Sequence, residues 1–229
     1  GWTHDDFARE AKKIIIDIDA RELKKPTIKS DILINCDSKE FISRMLDYLK
    51  DYAPTDISQW KEKIQHWKAK YPIVSPEYKE EKDFVNPYYF TEVLSEELNE
   101  NDIIVTDTGM SFHCTMQAFK LKKGQRLFSS SGLATAGYGL PGAIGACIGN
   151  SQRRVICIAG DGGLMKTLQE LQTIKHNALP IKIFIFNNKG YAYMKQLQKN
   201  YFQKYMGSES LSGLSIPDLM KIGESFGIK

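Results

Sequence analysis

Long hydrophobic runs are missing from this chain. No apolar stretch reaches the length that spans a membrane, and the first residues show no signal-peptide pattern. Cysteine and histidine are scarce, with 4 of each, and neither shows CxxC, zinc-type or other ligand spacing. We therefore expect reduced, buried thiols and a cytoplasmic protein without a membrane partner.

A strong excess of one charge is also missing. The 31 Lys and Arg residues and the 28 Asp and Glu residues leave a net charge of only +3, dispersed along the chain. This net charge is too small and too dispersed to indicate binding to nucleic acid, so we expect no nucleic-acid partner. The 229 residues and 42% hydrophobic content are enough for a packed core in one large or two small domains, and they fit an α/β protein.

Two short apolar runs predict strands. Val155–Ala159 and Ile181–Phe186 are apolar without regular alternation, which is typical of strands buried on both faces. Between them, apolar residues recur at helical spacing at Leu164, Leu168, Leu171 and Ile174. A strand, helix and strand in this order predict a parallel pair, and ligands of open parallel sheets bind at the carboxyl ends of the strands.

A polar motif follows each of these strands. Asp161, within Gly160-Asp161-Gly162, offers a carboxylate, and Asn188, within Asn187-Asn188, offers an amide oxygen; both are ligands that Mg²⁺ prefers. Gly190 could add its backbone carbonyl. Either motif alone is ordinary turn chemistry, but the two together at this spacing predict a magnesium-diphosphate site.

Glycines at the start of the predicted helix fit the anion. Gly162 and Gly163 carry no side chain that would keep a diphosphate from their backbone N–H groups. The positive end of the helix dipole would favour the same charge.

A dinucleotide site is the competing interpretation. Residues 137–142 spell GxGxxG, and Asp161 lies 19 residues beyond the last of these glycines. The dinucleotide fingerprint requires an apolar strand that leads directly into its first glycine, whereas residues 129–136 are mostly small and polar. NAD binding is therefore the weaker alternative.

With these motifs in place, the sequence resembles the thiamine diphosphate-dependent enzymes, and among them the acetolactate synthase-like branch. The segment from Gly160 to Asn188 resembles the cofactor signature of that family, and Ser131–Pro141 resembles its aminopyrimidine-binding loop. The similarity covers most of residues 84–229. It implies an α/β fold, an open and mostly parallel sheet with helices on both faces, incomplete at both ends of the chain.

The resemblance also implies a ligand set. Magnesium would be bound by Asp161, Asn188 and the Gly190 carbonyl. The residues implied to bind thiamine diphosphate are Gly109, Met110, Ser111, Ala134, Thr135, Ala136, Gly160, Gly162, Gly163 and Tyr191. The backbone from Ala134 to Ala136 would hold the pyrimidine, and FAD stays open as a further cofactor of the full-length protein.

Three departures from the family pattern indicate a divergent relative. Met110-Ser111 stand where the family has a Gln-His pair after its Thr-Asp-x-Gly turn. Ala136 stands where a large apolar residue props the cofactor, and Gly163 replaces the usual serine or alanine.

The resemblance divides the chain into three parts. Residues 1–50 resemble the end of a central domain, with one strand around Ile14-Ile15-Ile16 and a helix from Ser38 to Leu49. Residues 51–83 are interpreted as a connecting helix and linker, and residues 84–229 as the diphosphate-binding domain, truncated at its C-terminal end. The glutamate that activates thiamine in this family has no counterpart here, so no catalytic residue is assigned. We expect an inactive fragment, with one subunit of a split enzyme as the alternative.

The implied activity is that of a 2-keto acid carboligase, most similar to acetolactate synthase of branched-chain amino acid biosynthesis. Such an enzyme decarboxylates pyruvate and transfers the two-carbon unit to an acceptor, as a homodimer or homotetramer in full length. The alternatives are transfer to a sugar in surface-polysaccharide biosynthesis, a 2-keto acid decarboxylase, and a non-catalytic relative.

Overall fold

The structure, a computed structural model, describes residues 3–151 and 153–228. The chain divides into two units, Gly1–Gln65 and His66–Lys229. Its strands are β1 (Ile14–Asp17), β2 (Ile32–Asn35), β3 (Ile103–Thr106), β4 (Arg126–Phe128), β5 (Val155–Gly160) and β6 (Ile181–Phe186). Its α-helices are α1 (Ser38–Tyr48), α2 (Ser58–Lys70), α3 (Pro87–Glu97), α4 (Met110–Ala118), α5 (Gly139–Gly149), α6 (Asp161–Leu164), α7 (Glu170–His176), α8 (Ala192–Phe202) and α9 (Leu219–Ser225). None of the helices within these residues is long and apolar enough to cross a membrane.

The first unit contains a two-stranded parallel sheet. β1 pairs with β2 in a register that runs from Ile14 opposite Ile32 to Asp17 opposite Asn35. α1 begins after Asp37, whose carboxylate accepts the Lys39 N–H at 2.8 Å. The predicted strand at Ile14 and helix from Ser38 are confirmed, but the sequence interpretation missed β2, a strand of only 4 residues.

The sheet of the second unit has four parallel strands in the order β4-β3-β5-β6. The chain enters at the inner strand β3, moves outward to β4, returns to the inner strand β5 and continues to β6 on the other side. β3 and β5 are therefore adjacent while their connections lead to opposite edges. Such a switch point leaves a crevice at the carboxyl ends of the two inner strands.

Helices cover both faces of this sheet. On one face, alternate residues of β3 and β5 such as Val105 and Cys157 pack with residues of α5, α7 and α9. On the other face, Ile104, Ile156 and Ile158 pack with Leu94 and Phe90 of α3. The predicted fold class, a parallel sheet with helices on both faces, is confirmed.

Two details of the predicted strand-helix-strand unit are wrong. β5 is buried along nearly its whole length, but β6 is only half-buried and its Lys182 is exposed, because β6 lies at the edge of the described sheet. The single helix between them is two helices, α6 and α7, separated by residues 165–169. Leu164, Leu171 and Ile174 still point into the core, as their spacing predicted.

A partly buried ion pair joins the inner strands at their amino ends. Asp102 precedes β3, and Arg154 precedes β5; the Arg154 Nε donates to Asp102 Oδ1 at 2.9 Å, and its Nη2 contacts Oδ2. The Asp102 carboxylate also accepts the Asn99 N–H at 2.8 Å. The amino ends of β3 and β5 are thereby fixed by paired charges.

The burial of Ile156 gives a test of this core. Ile156 is 2% exposed, so Ile156→Ala should lower the free energy of unfolding by about 2–5 kcal/mol through lost apolar burial and a residual cavity. Ile148 of α5 is 59% exposed, and Ile148→Ala should change stability by no more than about 0.5 kcal/mol. Urea unfolding of both variants measures the difference, and equal losses would contradict this packing.

Candidate cofactor and metal site

Asp161 lies directly after β5 and is 1% exposed. Its Oδ1 accepts the Gly162 N–H at 2.7 Å, and its Oδ2 accepts the Gly190 N–H at 3.1 Å. Gly190 belongs to the segment that follows β6. One carboxylate therefore joins the carboxyl ends of β5 and β6, and the structure brings the two polar motifs together as the sequence predicted.

Burial shapes the electrostatics of this carboxylate. It raises the pKa of Asp161, while backbone N–H groups of Gly162, Gly190, Lys189 and Asn188 act in the opposite direction. None of the ion pairs among the described residues involves Asp161. A carboxylate has about four lone-pair sites, so capacity remains for a cation that would offset the burial of its charge.

The other predicted metal ligands adjoin it. Asn188 is exposed, and Gly190 is buried. Gly190 reaches Asp161 through its N–H, so the role of its carbonyl as a metal ligand stays a prediction. The structure places no group of three or more His, Cys, Asp or Glu side chains within metal-binding range among the described residues. The predicted ligand set is instead one carboxylate, one side-chain amide and one backbone carbonyl, hard ligands of the kind Mg²⁺ accepts.

A segment after α8 holds the Gly190 turn, and the sequence interpretation missed it. The Ser208 carbonyl accepts the Tyr191 N–H at 3.0 Å, and a Cβ on Gly190 would lie 2.4 Å from the same carbonyl oxygen. Gln198 fixes this segment, because its Oε1 accepts the Ser208 hydroxyl at 2.8 Å and the Met206 N–H at 3.1 Å. No motif in the sequence marks these contacts.

The glycines after β5 face different surroundings. A Cβ on Gly162 would lie 2.3 Å from the ring of Tyr191, so these two predicted cofactor residues are in contact with each other. A Cβ on Gly160 would have no atom within 4 Å. α6 has only 4 residues, so the helix dipole predicted from the sequence would contribute little to anion binding. An anion at this turn would interact mainly with individual backbone N–H groups.

Asp107 is another site residue that the sequence interpretation missed. It follows β3 as Asp161 follows β5, and it is 3% exposed. Its Oδ1 accepts the Thr108 N–H at 2.8 Å and the Gly137 N–H at 3.0 Å. An aspartate directly after an apolar run was the available signal, since the same pattern marked Asp161.

The predicted pyrimidine loop lies between β4 and α5. Ala134, Thr135 and Ala136 are exposed, and Ala134 has a left-handed backbone with φ of +46°. The loop is anchored at Gly137, whose carbonyl accepts the Thr167 hydroxyl at 3.1 Å. β4 ends at Phe128 and a 3₁₀ turn follows, so no strand leads directly into Gly137 and the dinucleotide fingerprint lacks its required context.

The turn after β3 contains three further predicted residues. Gly109 has φ of +69°, a conformation that favours glycine, and α4 begins at Met110. The buried Ser111 donates its hydroxyl to the Thr108 carbonyl at 2.9 Å, so its proton is already used within the turn. Met110 lines a cavity of about 550 Å³ together with Phe186, Asn187 and Asn188, so an apolar wall adjoins the two asparagines.

A family of known proteins matches this part of the chain. Residues 107–229 match the model of a family described as "Thiamine pyrophosphate enzyme, C-terminal TPP binding domain". The chain belongs to that family. The matched range begins at Asp107 and contains every residue predicted to bind the cofactor or the metal.

Relatives are similar along almost the whole chain. The acetolactate synthase large subunit of Pyropia yezoensis is 35% identical over 98% of this chain and 38% of its own length. The probable large subunit of Methanocaldococcus jannaschii is 35% identical over 97% of the chain and 38% of its length. Acetolactate synthase 1, chloroplastic, of Nicotiana tabacum is 32% identical over 97% of this chain and 34% of its own length. The chain thus spans less than two fifths of the length of these relatives.

Gly163 gives a test of the way Asp107 packs in this thiamine pyrophosphate-binding domain. A Cβ on Gly163 would lie 2.4 Å from Asp107 Oδ2, and that oxygen belongs to a buried, hydrogen-bonded side chain with little room to move. Gly163→Ala should therefore lower stability by about 1–3 kcal/mol.

Gly160→Ala is the matched control, because its Cβ would enter open space and its φ of −81° suits any residue. It should change stability by no more than about 0.5 kcal/mol. Thermal unfolding of the two variants measures both values, and a tolerated Gly163→Ala would mean that Asp107 is not fixed where the structure has it.

Proposed function

We propose that this chain anchors thiamine diphosphate and Mg²⁺ in a 2-keto acid carboligase of the acetolactate synthase kind. The observation that carries the proposal is the buried Asp161 carboxylate, which accepts backbone N–H groups from both motif segments and has no ion-pair partner among the described residues. Family membership and the acetolactate synthase relatives support the same conclusion.

The residues of the chain fit both groups. Asp161, Asn188 and the carbonyl of Gly190 would hold the metal, and the backbone of the turn that contains Gly160, Gly162 and Gly163 would bind the diphosphate. The backbone of Ala134 to Ala136 would contact the pyrimidine. When bound, thiamine diphosphate supplies the electron sink for decarboxylation of a 2-keto acid and for transfer of the remaining two carbons.

The chain supplies anchoring rather than the complete reaction. We assign no residue of this sequence as the activating glutamate, so the 229-residue chain by itself should bind the cofactor weakly and form no acetolactate. The complete enzyme, as we propose it, is a cytoplasmic homodimer or homotetramer that acts on pyruvate.

Asp161→Ala tests the proposal. Loss of the only carboxylate in the predicted ligand set should remove the magnesium dependence of thiamine diphosphate binding and lower the affinity at least about tenfold. Calorimetric titration with the cofactor, with Mg²⁺ and with EDTA, measures the effect. The control is Asp47→Ala, which removes an exposed aspartate of α1.

Equal affinities of Asp161→Ala and the unchanged chain would refute the metal assignment. A wild-type chain whose binding ignores Mg²⁺ would refute it as well. Acetolactate formation from pyruvate by the 229-residue chain would contradict the anchoring role.

A further inference from the structure

Three of the segments that form the predicted cofactor site meet at one side chain, Asp107. It belongs to the turn after β3 and accepts the N–H of Thr108 in that turn at 2.8 Å. It also accepts the Gly137 N–H, at 3.0 Å through Oδ1 and 3.2 Å through Oδ2. Gly137 follows Ala136 within the pyrimidine loop, so the carboxylate connects this loop to β3.

The same carboxylate fixes the start of α5. α5 has no side-chain cap of its own, and the backbone N–H groups of Tyr138 and Gly139 lie close enough to Asp107 to stabilise its charged form. A Cβ on Gly139 would lie 3.1 Å from Asp107 Cβ. Asp107 therefore acts as a cap that the neighbouring strand provides.

The third segment is the turn after β5. Gly163 lacks a side chain where Asp107 Oδ2 lies, since a Cβ there would approach that oxygen to 2.4 Å. The Asp107 N–H donates to the Ile158 carbonyl of β5 at 2.9 Å, and the Thr167 hydroxyl donates to the Gly137 carbonyl at 3.1 Å. The pyrimidine loop and the diphosphate turn thus both pack against the same carboxylate.

We propose that Asp107 is a positioning residue that sets the distance between the pyrimidine loop and the diphosphate turn. This inference rests on the proposed function for its ligand, but the contacts themselves are independent of any cofactor. A thiamine diphosphate molecule would have to reach from one segment to the other. Asp107 itself is nearly inaccessible and would act through the loops that it holds.

Two variants, Asp107→Ala and Asp107→Asn, test the proposal in two measurements. In the cofactor-free chain, hydrogen exchange at the Gly137 amide should accelerate at least about tenfold in Asp107→Ala, because the acceptor of that amide is gone. In a titration with thiamine diphosphate and Mg²⁺, the Kd of Asp107→Ala for the cofactor should rise on the order of tenfold. Asp107→Asn retains one acceptor oxygen and the side-chain volume, so it should recover part of both losses.

Asp102 provides the matched control at the opposite end of the same strand. Asp102→Asn disturbs another buried carboxylate, 5% exposed, and weakens its pairing with Arg154. It should lower the thermal midpoint but leave both the Kd and the exchange at Gly137 unchanged. A purely structural role of Asp107 would make the two positions behave alike.

Exchange at Gly137 at the wild-type rate in Asp107→Ala, together with the wild-type Kd, would overturn the proposal. So would a rise in Kd of equal size in Asp102→Asn. If the wild-type chain binds no thiamine diphosphate while Asp107 still controls exchange at Gly137, the proposed function is wrong and the link between the segments stands.

Discussion

The organisation of the site depends on two buried carboxylates at the ends of adjacent inner strands. Asp107 ends β3 and accepts the N–H of Gly137, in the segment that follows the outer strand β4. Asp161 ends β5 and accepts the N–H of Gly190, in the segment that follows the outer strand β6. The aspartate after each inner strand thus binds the segment that follows the neighbouring outer strand. The crevice between these two segments is where an α/β sheet of this topology binds ligands.

The two ends of β3 show how differently a buried aspartate can be used. At the amino end, Asp102 is paired with Arg154, and this pairing raises the pKa of the arginine. At the carboxyl end, Asp107 has backbone N–H groups as partners, and burial raises its pKa above the ordinary value of 3.8. The contribution of Asp107 to stability is therefore present below that value and is lost as the pH rises through its folded pKa. Ionisation of Asp107 at neutral pH thus acts against its burial, and the backbone N–H groups around it offset part of that cost.

The sequence was sufficient for the parts of the fold and site that depend on local pattern. The sequence predicted strands at β5 and β6 from their apolar residues and a helical segment between them from the spacing of Leu164, Leu171 and Ile174. It also predicted that the polar groups after the two strands lie at one sheet edge. The structure has these strands, the helical core residues and the polar groups in the predicted places. The edge position of β6 was missed because burial depends on strand order, which a single strand does not encode. Gln198 and Ser208 were missed because their contacts join residues that are ordinary in sequence and adjacent only in the folded chain.

The glycines after β5 show why a motif needs the structure before its residues can be given roles. Gly162 and Gly163 both suggested close approach of a diphosphate, yet the position of each missing Cβ is taken by protein, by the ring of Tyr191 and by Asp107 Oδ2. At Gly160 the corresponding space is open. The lack of a side chain at two of the three glycines is therefore explained by packing within the chain, and open space lies only at Gly160 among these three. The internal contacts alone account for glycine at Gly162 and Gly163 in this chain, so these two residues are weak evidence for a ligand. The buried Asp161 carboxylate, without an ion-pair partner among the described residues, is the stronger support for the proposed site.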